Sequence, residues 1–240
     1  MTITNPHQWP DDVDEPHDTA RKASPGDARR RLLELRLGGA AAAANHTGAT
    51  RRSGPDATAA DDVAPLSWAQ QALWFVDRLA GPSGTYNVAM SARLAGPLRI
   101  DVLERSLQAL VERHDSLRTA FDDDSGQPVQ RVIRDARLAL SVERLDPLPA
   151  GQREGALRQR LLQQASVPFD LARAPLARAR LYCLGPDEHV LLLVVHHIVA
   201  DGWSRAVIAR DLGALYSAQL NGTDPALPAL PCQFPDVARR

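Results

Sequence analysis

The sequence is poor in cysteine and almost devoid of lysine. Cys183 and Cys232 are its only cysteines, far apart and in no CxxC pairing, which argues against both a disulfide framework and a zinc knuckle. Cys183 sits inside the apolar stretch LARARLYCLG and reads as a core residue. Lys22 is the only lysine against many arginines, a bias that reads as codon usage in a GC-rich genome and says nothing about partners. With a formal net charge of −1 the chain lacks the basic footprint that nucleic acid requires. No run approaches the roughly 18 apolar residues of a membrane span, and the N-terminus MTITNPHQWPDDVDEP lacks the charged-then-apolar order of a signal peptide. A cytoplasmic protein with neither a nucleic-acid nor a membrane partner is expected. Also missing are a GxSxG elbow, a GxxxxGK[ST] phosphate loop and a GxGxxG fingerprint, which lowers the serine-hydrolase, nucleotide-hydrolase and dinucleotide readings. No internal repeat period is visible.

What is present divides near residue 62. Residues 1–62 are rich in Pro, Asp, Ala and Arg, with DDVDEPHD at 11–18 and an alanine tract at 40–44, and read as a largely disordered leader. The exception is SPGDARRRLLELRLGG. Ser24 as cap, Pro25 at the first helical position and Gly38-Gly39 at the end predict a short helix near residues 25–38, read as a linker in preference to a partner-binding element.

From residue 63 onward helical and extended patterns alternate, which predicts an α/β sandwich-like domain. LSWAQQALWFVDRLAG reads as a helix capped by Ser67, with Leu73, Trp74, Val76 and Leu79 on its buried face. TYNVAMSARLAG reads as a strand. IDVLERSLQALVERHDSLRTAF places Leu103, Leu107, Leu110 and Val111 on one helix face, with Arg113 and His114 at its end. PVQRVI and LALSVERL read as strands, residues 151–166 as a helix, and PLARARLYCL and HVLLLVVHHIV as two further strands. The last long helix runs from about Trp203 to Leu220 and stops at Asn221-Gly222.

The polar residues that close the most apolar of these strands, HHIVADGWS at 196–204, are the chemical candidates. Successive strand residues face opposite sides, so His196 and His197 cannot both serve one pocket, and a metal site using both is disfavoured. Asp201 lies in the turn before the next helix, where a carboxylate either caps exposed N–H groups or holds a nearby arginine. Gly202 beside it fits a close approach of backbone. His7, His17 and His46 fall in the leader and His189 at a loop edge, where each reads as solvated; the helix dipole accounts for His114.

HHIVADGWS resembles the HHxxxDG signature of nonribosomal peptide synthetase condensation domains, members of the chloramphenicol-acetyltransferase-like superfamily. Further segments follow in that family's order: LSWAQQALWFVDRLAGPSGTYN at 66–87 resembles its first motif, RHDSLRTAF at 113–121 its second, and FDLARAPLARARL at 169–181 the approach to the histidine strand. Ala72 departs from the arginine frequent in the first motif. The resemblance implies an open-faced α/β lobe with a mixed sheet, and it implies that residues 63–240 are the N-terminal lobe alone, since the chain stops at QFPDVARR, during the approach to a fourth motif, with the C-terminal lobe missing.

It further implies amide-bond formation between a donor acyl or peptidyl thioester and an acceptor aminoacyl thioester. Upstream donor and downstream acceptor carrier proteins supply these on phosphopantetheine arms, and no cofactor or metal is bound by the domain itself. His197 matches the family's active-site residue, acting as general base or by orienting the amine, and His196 packs on the opposite side. Asp201 matches a structural aspartate paired with a second-motif arginine, Arg113 first and Arg118 as alternate. Gly202 keeps the channel clear, and Trp203 and Ser204 start the neighbouring helix. Two other functions remain open: a non-catalytic lobe that binds carrier proteins, and a related acyltransferase using free CoA thioesters. On the first of these and on the missing lobe alike, the 240 residues alone are expected to be inactive.

Overall fold

The computed structural model describes Thr2–Ile3, residues 62–124 and residues 126–240. The expected helix near residues 25–38 lies outside the described residues. Thr2–Ile3 forms strand β1, with Thr2 opposite Ala95. The edge of a strand presents unpaired N–H and C=O groups that accept such an addition.

Two sheets carry the fold. The larger has the order β1-β3-β8-β7-β6, with β3 Asn87–Ala95, β6 Leu140–Arg144, β7 Ala177–Gly185 and β8 Glu188–His196. All its pairings are antiparallel except β6 with β7, which are parallel and joined through helix α3, Ala150–Ser166. Parallel neighbours need such a crossover. The smaller sheet has the order β2-β5-β4, from Val63–Pro65, Gln127–Val132 and Thr119–Asp124. The mixed α/β lobe expected from the sequence is therefore the one observed.

Strand β8 lies in the middle of the larger sheet, and both of its faces are covered. Leu191, Leu193 and Val195 join one core with Leu103, Leu107, Leu110 and Val111 of helix α2, Ile100–Arg113, and with Ile208 and Leu215 of helix α4, Ser204–Asn221. Val190, Leu192 and Val194 join a second core with Leu157 of α3 and Phe169, against which Leu73 and Trp74 of helix α1, Trp68–Ala80, are packed. Burial on both faces is why HVLLLVV runs apolar without alternation. Cys183 lies in the first core, and burial raises its thiol pKa.

Several local expectations hold. Ser67 caps α1 in a reciprocal box with Gln70, α2 ends at Arg113, and α4 stops against Gly222 in the left-handed conformation. Others are corrected. The fully buried residue of α1 is Gln70, while Leu79 is 71% exposed, so the helix turns a polar side chain inward. His189 is not at a solvated loop edge: it lies within β8 opposite Leu94 and Cys183, it is buried, and burial lowers its pKa.

Candidate active site

His196 is the last residue of β8 and is 2% exposed. Its ring lies 6.3 Å from that of Tyr86 and 6.2 Å, edge-on, from that of Phe169. The Ile198 N–H donates to its Nδ1 at 3.2 Å, so the proton of the neutral ring sits on Nε2. Burial, helped by neighbouring His197, depresses its pKa from 6.5 to about 4. The ring is therefore neutral at pH 7.

His197 is the first residue beyond the strand, and the chain turns there. Its own N–H donates to the Tyr86 carbonyl at 2.8 Å, and the Val199 N–H returns to the His196 carbonyl at 3.1 Å. The His197 side chain is exposed, with Nδ1 3.0 Å from the Ala200 carbonyl oxygen. A carbonyl only accepts, so Nδ1 carries the proton and the lone pair of the neutral ring is on Nε2. The two histidines are thus separated as the strand period required: one a buried hydrogen-bond acceptor for the turn, the other an exposed imidazole with a fixed tautomer.

The turn 197–200 rests on the first motif as well. Asn87, opposite His196 in the ladder, donates its amide to the Ala165 and Val167 carbonyls at 2.7 and 2.8 Å, tying β3 to the end of α3. Gly84 makes that approach possible, because a Cβ there would lie 2.3 Å from the Ser166 carbonyl oxygen. This is the one crowded glycine near the site. Gly202, by contrast, has open space where its Cβ would be.

Asp201 caps α4. The Ser204 N–H donates to its Oδ1 at 2.9 Å and the Ser204 hydroxyl at 2.7 Å, and these bonds hold the carboxyl pKa below the usual range. Trp203 occupies the N-cap position with its side chain 86% exposed. The pairing of Asp201 with a second-motif arginine is not formed. Arg113 instead donates through Nε to Asp211 at 3.0 Å, and Arg118 donates to Asp115 at 2.6 Å. The reason is packing: α2 and α4 lie side by side, and Asp211, on the buried stripe Ile208-Asp211-Leu215 of α4, is fully enclosed and needs the counter-charge that exposed Asp201 does not. His114 Nε2 lies 2.9 Å from the same carboxylate, and Arg210 donates to its other oxygen at 2.8 Å. Burial raises the Asp211 pKa, but the bonds from Arg210, His114 and Arg113 outweigh it and the net shift is downward. His114, Leu117, Ala200, Asp201, Trp203 and Ser204 line a cavity of about 190 Å³ beside the turn. Asp211 and the carbonyl of Tyr86 were missed in the sequence; the signal for Asp211 was a lone acid in an apolar helical stripe, and a backbone carbonyl leaves none.

Among the described residues no group of three or more His, Cys, Asp or Glu side chains is placed to hold a metal ion. The geometry offers instead an exposed, oriented base at His197 with a carboxylate cap and a small cavity next to it. Residues 60–240 match the Condensation domain family. The chain belongs to this family. Its relatives include a dimodular nonribosomal peptide synthase of Bacillus subtilis, 44% identical over 72% of this chain and 7% of that protein. Another is phosphinothricin tripeptide synthetase PhsC of Streptomyces viridochromogenes, 39% identical over 91% of this chain and 20% of that protein. Among solved structures, the starter condensation domain of rhizomide synthetase superposes with a TM-score of 0.64 at 28% identity, covering 69% of this chain and 40% of the other. The X-domain from teicoplanin biosynthesis, solved in complex with OxyB, superposes at 0.65 with 32% identity, covering 80% of this chain and 40% of that one. The chain thus spans 20% or less of these two relatives and 40% of each of these structures.

Proposed function

We propose that residues 63–240 are the N-terminal lobe of a condensation domain that forms the amide bond of a nonribosomal peptide. The observation that carries this reading is His197, whose Nδ1 proton is held by the Ala200 carbonyl so that the free nitrogen is exposed. In the reaction the acceptor amine attacks the donor thioester carbonyl, a C–N bond forms, the C–S bond breaks, and the donor's phosphopantetheine thiol leaves. The amine must shed a proton on the way, and the thiolate takes one up. A thioester is already activated, so what the protein supplies is alignment and a proton acceptor. His197 Nε2 serves as that acceptor or orients the amine. His196, neutral and buried, holds the turn, and Asp201 and Ser204 fix the start of α4 beside it.

The substrates ride on carrier proteins, upstream for the donor and downstream for the acceptor, and the second wall of the channel comes from a C-terminal lobe. Trp68 and Trp203, each 86% exposed, and Leu79 are apolar surface on this lobe suited to burial against such partners. One observation favours a second reading, a protein-binding module without chemistry: the X-domain relative was solved as a complex with another protein. Intact-protein mass spectrometry separates the two. The chain mixed with donor- and acceptor-loaded carriers is expected to give no condensed product alone and to give it when a complementary C-terminal lobe is supplied. Product from neither arrangement, with carriers still bound, would favour the binding module.

A further inference from the structure

Helix α1 turns one fully buried side chain inward, and it is an amide. Gln70 is 3% exposed and Gln130, from β5, is 1% exposed. Burying two primary amides is costly unless they are hydrogen-bonded, and an apolar pair would fill the same space without that requirement. Each amide here ends on backbone. Gln130 Nε2 donates to the Pro65 carbonyl at 2.8 Å and to Gln70 Oε1 at 3.2 Å. Gln70 Oε1 also accepts the Ser67 N–H at 3.0 Å, and Gln70 Nε2 donates to the Ile198 carbonyl at 3.4 Å. The pair is therefore a strut from the β2–α1 junction and β5 to the turn that follows His197.

Ile198 lies between the two anchors that set the His197 ring: the backbone bond from His197 N–H to Tyr86 and the side-chain bond from Nδ1 to Ala200. Its N–H is held by His196 Nδ1 and its carbonyl by Gln70. We propose that Gln70, backed by Gln130, is a positioning residue for His197, fixing the 198–200 backbone so that the Ala200 carbonyl stays on Nδ1. This rests on the reading of His197 as the reacting base. It also gives a physical reason for the first motif and the HHxxxDG signature to occur together: one supplies the strut, the other the imidazole.

Gln70→Met combined with Gln130→Met removes both amides at once and avoids stranding one of them. In the complete domain with both loaded carriers, this double variant is expected to lower kcat on the order of ten- to a hundredfold, as small misplacements of a reacting group do, with KM for the acceptor carrier unchanged and no further loss in a His197→Ala background. Gln70→Glu provides the conservative test, because its neutral carboxyl can donate to Ile198 whereas its carboxylate cannot; kcat is expected near parental at low pH and falling as the carboxyl ionises. Unchanged kcat in the double variant, or an equal loss with and without His197, would overturn the proposal. Nitrogen-15 spectra of the imidazoles give a readout independent of turnover: His197 is expected as the Nδ1–H tautomer in the parental chain and as a tautomer mixture in the double variant. Identical spectra would overturn the positioning role even if His197 itself proved dispensable for the reaction.

Discussion

Arg113 meets Asp211 at 3.0 Å across the α2–α4 contact, and the Asp211 carboxylate is wholly out of solvent. Removing one partner of a buried pair strands the other's charge, at about 3–5 kcal/mol. Asp211→Ala leaves Arg113 and His114, both largely buried, facing an empty site. Asp201→Ala removes only an exposed helix cap, at about 0.5–2 kcal/mol. Urea unfolding midpoints should therefore drop several-fold further for Asp211→Ala than for Asp201→Ala. The reverse order would return Asp201 to the buried-pair role that the resemblance implied.

That reversal marks where the sequence was legible. Residue types and periods placed α2 and its apolar face, the two strands flanking Gly185, the stop of α4 at Gly222 and the division between His196 and His197, because each follows from local geometry. Asp211, the partner of Arg113, and Ile198, which accepts from Gln70, lie 98 and 128 residues away, and no local pattern encodes such contacts. The resemblance pointed the second motif to the Asp201 carboxylate, whereas Arg113 meets that of Asp211. Only the packing of α2 on α4 decides between them.

Gly84 meets Ser166 with no room for a methyl group, since a Cβ would lie 2.3 Å from that residue's carbonyl oxygen. Gly84→Ala must displace backbone, an overpacking cost of about 1–3 kcal/mol, and it moves the segment whose Tyr86 carbonyl holds His197. Loss of stability together with loss of turnover is expected. Gly155→Ala, in α3 with open space around the added carbon, should instead stabilise by about 0.5–1 kcal/mol. Differential unfolding curves of the two variants check both signs.

His196 ties stability to pH. Its pKa falls from 6.5 to about 4 on folding, so between those values the unfolded chain binds a proton that the folded chain does not. The contribution is complete above pH 6.5 and is lost as pH falls towards 4. At about 1.4 kcal/mol per pH unit this window is worth on the order of 3 kcal/mol. His196→Asn keeps an acceptor for the Ile198 N–H but does not titrate, so its unfolding free energy should be the flatter of the two from pH 6.5 to 4. Parallel curves would mean that His196 is not held neutral by burial.

His197 is the proposed reacting residue, and single-turnover condensation by the complete domain with loaded donor and acceptor carriers tests its role most directly. His197→Ala is expected to lower the rate by roughly 10²–10⁴-fold, the range for a lost acid–base group, at parental stability, because the side chain is exposed and its one bond is to a carbonyl within its own turn. His196→Asn is expected to act through stability and to spare most of the rate at pH 7. A His197→Ala domain that forms product at the parental rate would contradict the assignment.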